Sequence, residues 1–142
     1  MDREKLVENL LTFLPLMHKK LMKGVSTCGI SKQQLGLLFH ISNEDEKLMS
    51  YYSEKMMVPK PNLTLMADKL IEEGLIERTF DLNDRRIINL KITRKGSKYI
   101  VEYKEKVRQE IIKKLDLLND SDAKRLNELI EEMTEIFNQM EL

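Results

Sequence analysis

The apolar residues of this chain change period at Gly74. Before that glycine they recur at three- and four-residue spacings, as they do on helices that bury one face. After it come two β-prone runs, Leu75 to Phe80 and Ile87 to Ile92, the second alternating Ile88, Leu90 and Ile92 against Ile87, Asn89 and Lys91. Asp81-Leu82-Asn83-Asp84 between them is turn chemistry, because short polar side chains bond their own backbone two residues on. A helix that gives way at once to a β-hairpin with a charged tip leaves few architectures open.

The helices are bounded by their own punctuation. Residues 3 to 22 place Leu6, Leu10, Phe13, Leu14, Met17 and Leu21 on one face, with Pro15 inside as an expected kink. Ser31 followed by Gln34 has the form of a capping box and predicts a helix through Leu35, Leu38 and Ile41. Asn43 to Glu46 is a polar break, and Leu48 to Met56 reads as a short third helix. Val58-Pro59-Lys60-Pro61 is a turn that opens a fourth, since proline suits a first helical turn and not an interior. That helix turns Leu63, Met66, Ala67 and Leu70 inward and ends at Gly74, where a C-cap glycine belongs. Thr93 is a good N-cap for a long helix reaching toward Leu118, and Asn119 to Asp122 separates it from a last helix that runs to the end.

Two short helices in succession, the second entered by a tight turn and followed by a small hairpin, describe a winged helix-turn-helix. The expected fold is therefore mainly α with a small β-hairpin wing, plus N- and C-terminal helices. With 142 residues the chain is sized for a single domain, 1–142, in which 31–96 is the reading core and 3–22 and 97–142 are dimerisation helices. No run of apolar residues is long enough for a membrane span, and the acids of MDREKLVENLL stand where a signal peptide carries basic residues. One cysteine, Cys28, suits a reducing compartment, so the expected location is the cytoplasm.

Equal numbers of basic and acidic side chains, 24 of each, look unfavourable for a phosphate-rich partner. Their distribution reverses that impression. Arg78 to Lys98 holds seven basic and two acidic side chains, whereas 99 to 142 holds seven and eleven. The hairpin segment is thus cationic in a chain that is neutral only on average. The fourth helix leaves Lys60, Asn62, Thr64, Leu65, Asp68 and Lys69 outward, a set suited to a DNA major groove. Asn bonds an adenine edge bidentately, Lys reaches guanine or phosphate, and Leu or Thr meets a thymine methyl or a backbone oxygen. Arg85 and Arg86 on the projecting turn suit a narrow minor groove. Read in isolation, Asp84, Arg85 and Arg86 would be a solvated turn with a local ion pair, and Asn62 and Thr64 would be helix-start chemistry. Their coupling favours DNA.

The motifs in this stretch also have a family likeness. Leu70-Ile71-Glu72-Glu73-Gly74-Leu75-Ile76-Glu77-Arg78, then Asp81-Leu82-Asn83-Asp84-Arg85-Arg86, then Ile92-Thr93-Arg94-Lys95-Gly96 follow the order and spacing of L-x-x-x-G-L-x-x-R, D-x-x-D-x-R and L-T-x-x-G. In this the chain resembles the MarR family of winged helix-turn-helix transcriptional regulators over Ser31 to Gly96. Leu65 stands where a basic residue is common in that pattern, and Pro59 where a capping Ser is usual. The resemblance implies that Pro59 to Lys69 lies in the major groove and that Asp84 orients Arg86 for the minor groove. It implies a homodimer joined through the N- and C-terminal helices and reading a palindromic double-stranded operator, in the manner of a repressor. It also implies a small aromatic or lipophilic ligand held near Leu14, Met17, Leu21 and Leu38.

Catalytic chemistry is not expected. His18 and His40 lack companions at metal-ligand spacing, and the chain has no nucleophile elbow or phosphate-cradling glycine loop, so neither enzyme activity, metal nor cofactor is predicted. Cys28, close in sequence to His18-Lys19-Lys20, is a candidate redox position because nearby cations favour a thiolate. The rival reading is a helical protein-interaction module whose winged domain no longer binds DNA, suggested by the neutral balance, the acidic flank and Leu65.

Overall fold

The computed structural model describes residues 2–141. Its elements run α1 (Arg3–Met22), α2 (Lys32–Asn43), β1 (Lys47–Leu48), α3 (Met49–Met56), α4 (Lys60–Glu72), β2 (Ile76–Phe80), β3 (Ile88–Ile92), α5 (Arg94–Leu115) and α6 (Asp120–Asn138). The chain divides into two compact units. One spans Ser26–Lys106; the other combines the chain up to Val25 with the chain from Val107 onward.

The Ser26–Lys106 unit is the winged fold. Ser31 caps α2 in the predicted box: its hydroxyl oxygen accepts from the Gln34 amide at 3.1 Å while the Gln34 carboxamide accepts from the Ser31 amide at 2.8 Å. Leu37, Leu38 and Ile41 of α2 meet Tyr52 of α3, Leu63, Ala67 and Leu70 of α4, and Ile76 and Leu90 of the sheet in one buried cluster. Burying each such aliphatic side chain contributes roughly 1.5 to 3 kcal/mol, so this cluster rather than helix propensity holds the short helices in place.

The turn between α3 and α4 is tied by Ser53, whose hydroxyl donates to the Val58 carbonyl at 2.6 Å. Met57 there adopts a left-handed conformation, φ +55°. At the far end of α4 the Gly74 amide donates to Ile71 and the Leu75 amide to Leu70, the paired bonds of a Schellman ending made around a glycine at φ +75°. The helix is thereby turned straight into β2, which pairs antiparallel with β3 in the register Ile76↔Ile92, Arg78↔Leu90 and Phe80↔Ile88.

The wing is more than a hairpin. Lys47 and Leu48 pair with Leu90 and Asn89, so the described residues form a three-stranded sheet of order β1-β3-β2. Leu48, expected to open the third helix, is in this strand, and α3 begins at Met49. Two tethers explain the difference. The buried Tyr52 hydroxyl donates to the Glu44 carbonyl at 2.6 Å and accepts from the Lys47 amide at 3.0 Å, and the Asp45 carboxylate accepts from the Ile92 amide at 2.9 Å. Both hold the segment extended against β3.

Thr93 serves both neighbours, accepting from the Gly96 amide at 3.0 Å and donating to the Gly74 carbonyl at 2.7 Å. The helix it starts ends at Leu115, earlier than Leu118, in tight turns from Leu117 to Lys114 and from Leu118 to Leu115.

In the other unit α1 is capped by Asp2, which accepts from the Glu4 and Lys5 amides, and continues through Pro15. Its C-terminal end is closed by the Lys114 ammonium, which donates to the carbonyls of Leu21 and Lys23. Asn119 caps α6 by accepting from the Asp122 amide at 2.7 Å. Among the described residues none on α1 or α6 is buried, although both carry apolar stripes.

Candidate nucleic-acid interface

The outward face of α4 follows from the burial of its inward one. Leu63, Met66, Ala67 and Leu70 are buried, which leaves Lys60, Asn62, Thr64, Leu65 and Asp68 exposed and Lys69 half-buried. Leu65 is 71% exposed, a large apolar side chain presented to solvent in the middle of the helix. The Thr64 hydroxyl donates to the Lys60 carbonyl at 3.0 Å, and Lys69 pairs with Glu73 at 3.0 Å. That pairing, through its hydrogen bond first, holds the Glu73 carboxyl below the usual range and raises Lys69.

The wing tip is a closed set of hydrogen bonds. The Asp81 carboxylate accepts from the amides of Asn83 (2.8 Å) and Asp84 (3.2 Å). The Asp84 carboxylate accepts from the Arg86 amide at 3.0 Å and from its guanidinium, Nε at 3.1 Å and Nη2 at 3.2 Å. The guanidinium bonds, followed by the amide bond, hold the Asp84 carboxyl below its ordinary value. The Arg86 side chain is nonetheless 91% exposed, so it is oriented without being covered. Among the described residues Arg85 has no side-chain hydrogen bond or ion pair.

Helix and wing are joined at two places. Arg78 of β2 forms an ion pair with Asp68 of α4. A cavity of about 330 Å³ opens between the start of α4 and the wing, and Lys60, Thr64, Arg86 and Ile88 share its lining with Leu48 of β1 and Met49 of α3. Three of the expected reading residues therefore border one recess. This order of parts, a short helix-turn-helix followed by an arginine-tipped hairpin, coincides with a family match over residues 30–88.

That match is to the MarR family, and the likeness it shows is confined to the winged unit. The chain is 24% identical over 134 residues to the HTH-type transcriptional regulator YpoP of Bacillus subtilis, across 92% of this chain and 95% of that protein. It is 32% identical over 80 residues to the HTH-type transcriptional repressor MdtR of the same organism, across 56% of this chain and 52% of MdtR. Among solved structures it is similar to the transcriptional regulator Tm0710 from Thermotoga maritima, with a TM-score of 0.76, 26% identity, and coverage of 95% of this chain and 96% of that one. The fold is shared with Streptococcus pneumoniae FabT, solved in complex with DNA, at a TM-score of 0.61 and 19% identity over 99% and 100% of the two chains. The family and these relatives are regulators, not enzymes.

Within the winged unit several side chains do work that the sequence did not announce. Asp68 carries the Arg78 partner ten residues away, and Asp45 and Glu46 clasp the sheet, Glu46 by accepting from the Thr79 hydroxyl at 3.1 Å. The only available signal for them was polarity, shared with every solvated loop. The cation beside Cys28 is Lys106, its ammonium 3.4 Å from the exposed Sγ, while His18, Lys19 and Lys20 stand on α1 in the other unit. Leu14, Met17 and Leu21 lie along α1, whereas Leu38 is fully buried in the winged core. Among the described residues no group of three or more His, Cys, Asp and Glu is placed to hold a metal.

Proposed function

We propose that the protein is a cytoplasmic repressor that binds a palindromic double-stranded operator as a homodimer and is released by a small ligand or an oxidant. One observation carries the DNA-binding part: an α4 face of Lys60, Asn62, Thr64, Leu65 and Lys69 stands beside a wing whose Arg86 is aimed by Asp84. In this reading α4 occupies the major groove, with Asn62 on an adenine edge and Lys60 and Lys69 on guanine or phosphate. Arg85 and Arg86 enter the flanking minor groove, where a guanidinium profits from the narrow, negative A·T-rich channel. The relation to MdtR, a repressor, and the shared fold with FabT, solved with DNA, support the same assignment.

The dimer is supported by α1 and α6, whose exposed Leu6, Phe13, Leu129, Ile130 and Phe137 present apolar surface that a second copy would cover. Two-fold symmetry then sets inverted half-sites about one helical turn apart, ~34 Å. For the effector, Leu14, Met17 and Leu21 offer an apolar strip on α1 to an aromatic or lipophilic ligand, and exposed Cys28 beside Lys106 offers a thiol to an oxidant. No helix of the described residues is long and apolar enough to cross a membrane.

The test is selection of genomic fragments by the purified protein, followed by titration of the recovered duplex at two salt concentrations. An inverted repeat and a steep fall of affinity with salt are expected, since each phosphate contact adds about 0.9 to the slope of log affinity against log salt. A flat dependence on every duplex would overturn the proposal in favour of a protein-interaction module.

A further inference from the structure

We propose that Leu82 is a minor-groove probe, an apolar side chain that the arginine-bearing loop of the wing seats against the groove floor. The proposal rests on the DNA-binding reading above and extends it to a residue with no part in the fold. Leu82 lies in the loop between β2 and β3 and is fully exposed. Among the described residues its side chain has no packing partner in the buried cluster, nor is it one of the partly buried residues packed against that cluster. Its backbone, by contrast, is fixed on both sides. Asp81 accepts the Asn83 and Asp84 amides, the Asp81 amide donates to Ile87, and the Ile87 amide donates to Asp84.

A leucine held out on a braced turn contributes nothing to folding, because it is as wet in the native state as in the unfolded chain. Exposed Phe80 and Ile87 stand at the two ends of the same loop, which also carries Arg85 and Arg86. Minor-groove binders combine cationic side chains with inserted apolar ones, and this loop carries both. The groove floor also gives the contact a preference. A·T pairs present only acceptors there, whereas G·C adds the guanine amino group, which would fill the space the leucyl methyls need.

The experiment compares Leu82→Asn and Leu82→Met with the parent protein on the selected operator, at two salt concentrations. The base pairs under the wing are A·T, G·C or inosine·C; inosine lacks the guanine amino group, so its pair resembles A·T in the minor groove and G·C in the major groove. Leu82→Asn is expected to bind A·T-flanked operator about 10-fold more weakly with an unchanged salt slope, since no cation is lost. Leu82→Met, still apolar and unbranched, should retain most of the affinity. The parent should discriminate against G·C and recover on inosine·C, and in Leu82→Asn that discrimination should shrink several-fold, to the share that Arg85 and Arg86 impose through groove width. Equal affinity of Leu82→Asn and parent, or a preference that follows the major-groove pattern of inosine·C, would overturn the probe while leaving DNA binding intact. Absence of salt-dependent binding by the parent itself would overturn both.

Discussion

At the scale of single residues, glycines with opposite surroundings give the sharpest expectations. A Cβ on Gly96 would lie 2.0 Å from the Leu75 carbonyl oxygen and 2.8 Å from Ile92 Cγ1, because the first turn of α5 crosses directly over the chain leaving α4. Gly96→Ala should therefore destabilise the winged unit by about 3 kcal/mol, the upper range for forced overpacking. Gly36, inside α2, meets only Met56 Cε at 3.5 Å, an ordinary contact. Gly36→Ala should stabilise by roughly 0.5 to 1 kcal/mol by removing backbone freedom from the unfolded chain. Urea unfolding of both variants checks the pair, and like-signed shifts would contradict the packing described for Gly96. The reading residues separate in another way. Asn62→Ala should lose ~1 to 3 kcal/mol on the preferred operator and relax discrimination at one base pair. Arg86→Ala should weaken binding to many duplexes and reduce the salt slope, with Asp84→Ala a milder copy. Tighter binding by Asp84→Ala would show that its charge merely repels phosphate.

Among the elements, the wing and the α2–α3 corner are governed by carboxylates, and acid should loosen both. Glu44 is held below 4.5 first by the Tyr51 hydroxyl and further by Lys55, and Asp84 is held below 3.8 by the Arg86 guanidinium and amide. Each is therefore more acidic folded than unfolded, so its stabilisation is complete above the ordinary value and is lost as pH falls through the depressed one. Amide exchange at Arg86 and Ile87 should stay slow from neutral pH down to the carboxylate range and quicken below it. Loss of protection already between pH 5 and 7 would exclude Asp84 as the clasp. Asp45→Ala should unpin β1 at any pH, with faster exchange at Ile92 and a loss of about 1 kcal/mol. These tethers mark where sequence reading stopped. The α2 cap, the inward face of α4, the Gly74 ending and the β2–β3 pairing were legible because each is local in sequence or has its own period. The β1 strand was not, since two residues have no alternation and its register comes from Asp45 and Tyr52 acting at a distance. For the interface, α4 and Asp84–Arg86 were legible as a constellation, while the Asp68–Arg78 tie and Lys106 beside Cys28 required the fold.

For the molecule as a whole the decisive question is what covers α6. Leu126, Leu129, Ile130 and Phe137 are exposed on a helix without a buried residue among those described, and Met133 lies half-buried on the same stripe. Replacing Leu129 and Met133 by glutamate would set charges in an apolar seam, at several kcal/mol if the seam is closed by a second copy. Sedimentation of the double variant should then show monomers whose circular dichroism retains the helices. A well-folded dimer would remove α6 from the interface. The same variant should lose operator affinity steeply, since each half-site contact then has to stand alone.

The hydrogen bonding of the wing tip divides labour in a way that bears on how such a chain diversifies. Asp81 and Asp84 hold the loop through backbone amides and one guanidinium, and Leu82, Asn83 and Arg85 have no side-chain hydrogen bond among the described residues. These three positions can drift without disturbing the frame that presents them. If the wing meets operator flanks as proposed, a lineage carrying this loop can explore new ones through interchangeable side chains on a constant mount, acquiring altered target preference without passing through unstable ancestors.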